Sequence, residues 1–550
     1  MLTSETRRWW TLGALSMSVL VVGLDLFVLN LAIPTISADL HASSGDLQWF
    51  VDAYSLTLAA ALLPAGLLGD QLGRKRLLIG ALALFGVASL ACAYSTSASE
   101  LIAARAVLGL AAAVILPMSL AVLPVLFTAS ERPKAIAAVG GATFLGYPVG
   151  PILGGWLLDH FWWGSVFLIN VPVVVIAMVA VTLLMPESHS ESRPRMDLAG
   201  VLISSAGLAV LTYGLIKAGQ NGWTDAAAVA TMSVGAAALI AFVAWERRLG
   251  RPGSRPAGSA QPLVDLTLFR SAGFTWGTVL STLVSFALFG IVFAMPQYFL
   301  DVRGLNSLGA GLRLLPMIGG LAVGLVIGQR LLTPRKARVD DAGQADAILA
   351  GGAPGSTSGV SAKVVATAGF AIMAASLAVG AGTTVSSGTG FAAAWFAVTG
   401  LGLGLAMPTA LNAALGALSS ERSGSGSALI TAMRQVGGTI GVAVLGTVLA
   451  TVYRSHLHLS GLPAAAAAAA RSGVAGGIAA AQGAASAPLL HLVRVAYIHG
   501  LDVMLWICGG IAVTAALMAL AFLPRHAAEP DQPQPVVQPS AAAAGRTGAE

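Results

Sequence analysis

Charge is scarce in this chain. Asp, Glu, Lys and Arg make up 10% of its 550 residues, where a soluble domain carries roughly 25%. So few ionic groups cannot clothe a water-borne protein of this length, which excludes a soluble enzyme. The net charge of +6 is spread over separate short segments, so it is not a nucleic-acid-binding patch. Cysteine is scarcer still. Cys92 and Cys508 lie far apart, each within an apolar run; they match no metal-ligand spacing and read as free core thiols. No Gly-x-x-x-x-Gly-Lys-Ser/Thr occurs, which removes the P-loop route to ATP. His456 and His458 stand two residues apart, weak grounds for a metal, and read as surface residues. The expectation is no enzyme, no cofactor, no metal and no nucleic acid.

What the chain has instead is apolar length: 56% of it is hydrophobic. A helix crosses a bilayer with about 20 mostly apolar residues. Such runs lie near 10–34, 47–69, 75–94, 101–125, 134–157, 165–185, 198–217, 227–245, 272–299, 308–329, 363–383, 389–415, 428–451 and 501–523. That predicts an all-α membrane protein with about fourteen transmembrane helices. Arg7 and Arg8 precede a run reaching Pro34, which is too long for the short apolar core of a cleavable signal. Lys and Arg concentrate in alternate loops, at Arg74–Arg76, Arg132 with Lys134, Arg193 with Arg195, Arg247–Arg255 and Arg330–Arg338. Basic loops stay cytoplasmic, so both termini are expected inside, in a multi-pass protein of the bacterial plasma (inner) membrane.

Three segments break the apolar pattern. Residues 333–361 are rich in Gly, Ala, Ser and Asp and are expected to form a flexible cytoplasmic loop. Residues 524–550, rich in Pro, Ala and Gln beyond the first few, read as a disordered tail. Residues 453–499 form a long outer loop. Its alanine run favours helix, so a short helical hairpin or a structureless loop would both fit.

Between the second and third runs stands Gly66-Leu-Leu-Gly-Asp-Gln-Leu-Gly-Arg-Lys-Arg76. Gly66, Asp70, Gly73, Arg74 and Lys75 fill the pattern of the loop between helices 2 and 3 of major facilitator superfamily transporters, which this segment resembles. A degenerate echo, Gly324-Leu-Val-Ile-Gly-Gln-Arg330, follows the tenth run. The resemblance implies a major facilitator fold of two six-helix halves, 10–185 and 272–523, after a cytoplasmic N-terminus at 1–9. Two extra central helices at 198–245 would separate the halves. That arrangement is similar to the fourteen-helix drug:proton antiporter family, and in particular to its branch that exports quaternary ammonium compounds and other drugs.

Further motifs extend the likeness. Leu24-Asp-Leu-Phe-Val-Leu-Asn-Leu-Ala-Ile-Pro34 resembles the family's first-helix motif, with Phe27 where Thr is usual. Asp25 is an acid deep in the membrane, where it needs a cavity or a partner. It reads as a proton or cation site, or as a helix-packing hydrogen bond. Val51-Asp-Ala-Tyr-Ser-Leu56 resembles the lipophilic-cation branch and gives Asp52 a role in proton or cation handling, against the alternative of an interfacial acid. Leu101-Ile-Ala-Ala-Arg-Ala-Val-Leu-Gly109 places Arg105 roughly 9 Å below the outer end of its helix, and Asp25 lies roughly 13 Å below Pro34 at 1.5 Å per residue. Those depths permit pairing. Gly146-Tyr-Pro-Val-Gly-Pro-Ile-Leu-Gly-Gly155 resembles the exporters' motif through Gly146, Gly150, Pro151, Gly154 and Gly155. In the family, Asp70 is thought to latch the halves in the outward-facing state; a solvated turn acid is the plainer reading. Arg434 could pair across the halves or snorkel to the cytoplasm.

The resemblance implies a monomeric, proton-coupled antiporter exporting a lipophilic, often cationic, small molecule by alternating access. A proton-coupled importer or a non-transporting sensor is the alternative. The expected coupling groups are Asp25, Asp52 and Arg105. The expected substrate cavity comprises Phe27, Asn30, Tyr54, Phe144, Tyr147, Phe286, Met295, Tyr298 and Met407. The charge bias is directly testable. Ser472→Cys, in a background lacking Cys92 and Cys508, is expected to react with an impermeant maleimide in intact cells. Labelling only after lysis would reverse the topology.

Overall fold

A computed structural model describes residues 4–128, 131–187, 197–250, 262–332, 360–418, 423–459 and 463–523. The expected cytoplasmic loop, all but its last two residues, and the expected tail lie outside the described residues. So do the side chains of Phe27, Asp70, Phe144 and Tyr147, and the surroundings of Gly66.

Every regular element among the described residues is helical. The first group is α1 (Ser4–Asp39), α2 (Ser44–Leu72), α3 (Arg74–Ala93), α4 (Ala98–Ala121), α5 (Arg132–His160) and α6 (Asn170–Leu184). Next come α7 (Leu198–Asn221) and α8 (Ala226–Leu249). The second group is α9 (Ala272–Gln297), α10 (Ser307–Leu332), α11 (Ala362–Gly380), α12 (Thr389–Leu415) and α13 (Ser423–Ser455). Two short helices, α14 (Ala464–Ser472) and α15 (Val474–Gly483), precede the last, α16 (Ala487–Phe522). Among the described residues, 12 helices are long and apolar enough to cross a membrane. The remaining long helices, α2 and α5, have 29 residues each and contain positions outside the description. Prolines lie inside α2, α4, α9, α10 and α12, as membrane helices tolerate.

The two groups pack alike. α1 lies on α5, α2 on α4, α3 on α4 and α6; correspondingly α9 lies on α13, α10 on α12, α11 on α12 and α16. Glycines permit the closest approaches. A methyl at Gly109 would strike the Tyr54 carbonyl of α2, and one at Gly324 would strike the Leu401 carbonyl of α12. The Gly324 echo in the sequence is thus explained by backbone contact. The α7–α8 pair packs mainly on itself, and α7 also lies against α2 and α13. Thr447 of α13 donates to the Leu215 carbonyl of α7 at 3.1 Å. The pair's outer sides carry exposed apolar residues such as Ile240, as lipid contact requires.

The seam between the groups is built from α2 against α13, α5 against α10 and α1 against α9. A methyl at Gly155 would stand 2.6 Å from the Leu308 Cα, and one at Gly311 would strike the Pro151 carbonyl. Asp159, near the end of α5, crosses the seam. Its carboxylate accepts from the backbone N–H groups of Ser307 and Leu308 at 2.9 and 3.2 Å and from the Asn306 amide at 2.8 Å. Those are orphan donors at the start of α10, where the helix dipole also favours an anion. At the other face of the molecule Arg8 forks onto Glu131 at 2.9 and 3.0 Å. The Thr128 hydroxyl, then Arg8, hold that carboxyl below the ordinary glutamate range. The pair's contribution therefore persists through neutral pH and is lost only as pH falls through that lowered range.

Of the two forms expected for 453–499, the structure has the helical hairpin, α14 and α15; the bounds differ, since α13 runs on to Ser455 and α16 starts at Ala487, not near 501. Ser486 caps α16 by accepting from the Leu489 N–H at 3.4 Å, with proline in the first turn. Leu489, Val493 and Ala496 then continue one buried stripe into the membrane helix.

The seam carries a prediction. Asp159→Ala removes three hydrogen bonds between the groups. It is expected to speed labelling of a seam cysteine, Leu308→Cys in a background lacking Cys92 and Cys508, by an impermeant maleimide, while the chain still inserts. An unchanged labelling rate would show that Asp159 holds nothing shut.

Candidate functional site

Asp25 sits where α1 is pressed by α5. A methyl at Gly146 would stand 2.8 Å from both the Gly23 carbonyl carbon and the Leu24 nitrogen, and one at Gly154 would stand 3.1 Å from Val28. Gly146 and Gly154 of the motif thus face α1 at one side, and Gly155 faces α10 at the other. α5 runs without a break through Pro151.

The depth argument placed Asp25 and Arg105 within reach, and the structure brings them together. The Arg105 Nη1 donates to Asp25 Oδ2, in an ion pair whose members are 1% and 2% exposed. Each partner is held from a second direction. Arg105 Nε donates to the Phe50 carbonyl at 3.0 Å, and its guanidinium lies over the Tyr54 ring, 4.4 Å from the centroid. The Asn170 amide donates to Asp25 Oδ1 at 3.1 Å and to the Ser89 hydroxyl at 3.4 Å. The site thus draws on α1, α2, α3, α4 and α6. The Tyr54 hydroxyl, also buried, has no hydrogen-bond partner.

Asp52 faces elsewhere. Gln48, one turn before it on α2, contacts Gly446 of α13, so residues spaced by about one turn from Gln48 look across the seam. Asp52 is fully buried, and neither of its carboxyl oxygens has a hydrogen-bond partner. Ser55, at the next turn of that face, Thr439 of α13 and Thr212 of α7 are likewise 0% exposed, with unpartnered hydroxyls. Unpaired polar atoms in such numbers are uncommon in a finished core. They lie on α2, α7 and α13, three helices that pack against one another.

The loop motif is partly described. Gly73 ends α2 with φ at 96°, a backbone region costly for other residues. A methyl there would lie 2.7 Å from the Glu187 carboxylate. Glu187 accepts from the Lys75 N–H at 3.2 Å and pairs with Arg76 at 3.7 Å, while Arg74 donates to the Ala121 carbonyl at 2.9 Å. Whether Asp70 reaches the start of α13 lies outside the described residues.

The expected cavity residues do not gather. Met295 and Tyr298 are packed into the core of the second group, and Phe286 packs against it. Tyr54 belongs to the ion-pair site. Asn30 is buried on α1. The Met407 sulfur meets Arg434, which also reaches Ser285 at 3.4 Å, both within the second group. Aromatic and Met content marks a packed core as readily as a pocket. Sequence reasoning missed Asn170 and Glu187. Asn170 stood out only as an amide in an otherwise apolar run.

Residues 15–442 match the sequence profile of the Major Facilitator Superfamily. The chain is 32% identical to the tetracenomycin C resistance and export protein of Streptomyces glaucescens, over 98% of this chain and 96% of that protein. It is 33% identical to the multidrug efflux pump LfrA of Mycolicibacterium smegmatis, over 94% and 95%. It is 30% identical to the methyl viologen resistance protein SmvA of Salmonella typhimurium, over 82% and 85%. Among solved structures, a bacterial homologue of the human lysosomal transporter Spinster, inward-facing and unoccupied, superposes with a TM-score of 0.63 at 15% identity, covering 94% of this chain and 96% of that one. The xylose transporter XylE from E. coli, inward open, gives 0.56 at 12% identity, over 95% and 98%.

The ion pair makes a stability prediction. Removing one member of a buried pair typically costs about 3–5 kcal/mol. Arg105→Ala is expected to lower the melting temperature of the detergent-purified protein, and Arg105→Ala with Asp25→Asn to recover part of the loss. A double variant no more stable than Arg105→Ala would mean that the charge on Asp25 is balanced elsewhere.

Proposed function

We propose that this chain, which belongs to the Major Facilitator Superfamily, is a proton-coupled antiporter that exports lipophilic, often cationic, small molecules. Its relatives named as export, efflux and resistance proteins span nearly its whole length, which supports export over import or sensing. The observation that carries the coupling is the Asp25–Arg105 pair. An acid held between a guanidinium and an amide, at the junction of five helices, has two stable arrangements. Ionised, it binds Arg105. Protonated, it releases Arg105 to the Phe50 carbonyl and the Tyr54 ring alone. Exchange between them shifts the packing of α1 against α4, so a proton biases the equilibrium between the inward- and outward-open states.

Asp52, unpaired on the seam, is the second group. It meets either a proton or a cationic substrate, and the two compete for one carboxylate. Competition of that kind is antiport: substrate binding displaces the proton, and proton binding displaces the substrate. The charge bias supports both termini being cytoplasmic, with the hairpin outside. Nothing in this mechanism requires a second copy of the chain, so it is proposed to work as a monomer.

Asp25→Asn keeps the shape and removes the titratable proton. In proteoliposomes with an imposed pH gradient it is expected to abolish uphill export of every substrate, a loss of at least about 10²-fold, the scale of a missing proton-transfer group. Asp52→Asn is expected to weaken export of cationic substrates more than neutral ones. Undiminished uphill export by Asp25→Asn would transfer the coupling role to Asp52.

A further inference from the structure

On the outer side of Asp52, between the two groups of helices, lies a chamber of about 360 Å³. Its walls come from α1, α2, α9, α13 and α16, and its roof is the α14–α15 hairpin, which contributes residues between Ala469 and Ala480. The roof is fixed to both groups. Ser44 of α2 donates to the Ser472 carbonyl at 2.5 Å, and the Tyr453 hydroxyl of α13 donates to the Ala470 carbonyl at 2.9 Å. The volume falls in the range of small-molecule sites.

One acid enters this chamber. Just past α9 the helix widens into a π-turn over Tyr298–Val302. Such turns recur at functional sites because they redirect a side chain from the regular helical face. Here the turn carries Asp301, which lines the chamber. Its Oδ2 is buried and has no hydrogen-bond partner. Among the described residues no Lys or Arg lines the chamber, and the other titratable side chains there are His41, Tyr453 and Tyr497. Both tyrosines have already given their hydroxyl protons, Tyr453 to the hairpin and Tyr497 to the Ala294 carbonyl at 2.7 Å. They are left to offer ring surface, beside Phe293.

The Asp301 carboxylate, the unpartnered Gln48 Oε1, aromatic rings and an otherwise largely apolar wall suit a ligand that is positively charged and mostly apolar. A quaternary ammonium or phosphonium ion meets that description, because it is satisfied by ring faces and one anion. We propose that this chamber binds a lipophilic monovalent cation, with Asp301 as its counter-charge. The proposal rests on the export reading above only for direction: it makes the chamber the last station before release. Gln48 links the two sites, lining the chamber one turn above Asp52.

The test uses the full chain in intact cells. Ala479, exposed on the hairpin and lining the chamber, becomes the reporter as Ala479→Cys; the native Cys92 and Cys508 are buried. Tetraphenylphosphonium added outside is expected to slow labelling by an impermeant maleimide. Asp301→Asn should raise the half-protecting concentration about tenfold or more, the scale of one lost desolvated charge contact. Asp301→Glu should retain protection, and neutral triphenylphosphine oxide should give none. Matching unprotected labelling rates in all variants establish that the hairpin is intact. Labelling unaffected by the cation, or protection unaffected by Asp301→Asn, overturns the proposal. Tetraphenylphosphonium efflux measured in the same cells keeps the two readings apart. Efflux without protection sinks the chamber and leaves export standing; protection without efflux does the reverse.

Discussion

Inside a bilayer, apolar side chains gain nothing by leaving lipid for one another, so helices hold together only where their backbones come close. This fold obeys that constraint throughout. Gly109 on Tyr54, Gly146 on Gly23, Gly311 on Pro151 and Gly324 on Leu401 are all contacts of a bare backbone with a neighbouring helix. They recur in both groups of helices and across the seam. The 65 glycines of the chain are therefore not a sign of looseness. Many are the surfaces on which the helices meet and on which the two groups can slide.

Polar groups follow the opposite logic. Where a charge is present within the apolar body, it is either matched on several sides, as Asp25 and Arg105 are, or left open, as Asp52 and Asp301 are. Under the proposed mechanism the matched pair offers two arrangements, and an open acid can take a mobile partner. The three acids lie on α1, on α2 and on the π-turn after α9.

Much of this was legible in the sequence. Apolar runs fixed the long helices, and the depths of Asp25 and Arg105 anticipated their contact, because helix rise converts residue count directly into distance. The second layer was not legible. Asn170 and the Phe50 carbonyl are chosen by how α2 and α6 turn relative to α1, and no spacing rule along one helix reports rotation between helices. Nothing in the sequence singled out Asp159, since two of its three partners are backbone N–H groups with no residue signature. The start of α16 at Ala487 was hidden by a stretch holding His491 and Arg494, although a buried apolar stripe ran beneath them. The cavity was not legible for a related reason: composition cannot tell Met295 in a core from Met295 beside a void.

The hairpin has one foot on each side of the machine. To the first group its hydrogen-bond tie is Ser44 on the Ser472 carbonyl, worth about 0.5–1.5 kcal/mol net. To the second group it is tied by Tyr453 on the Ala470 and Gly473 carbonyls and by Val474, Ile478 and Ala481, packed into that group's core. Any motion that parts α2 from α13 therefore breaks the Ser44 stitch, and the strap travels with the second group. The stroke of the transporter is thereby coupled to a segment that needs neither membrane depth nor charge, and that evolution can retune by changing a single hydroxyl.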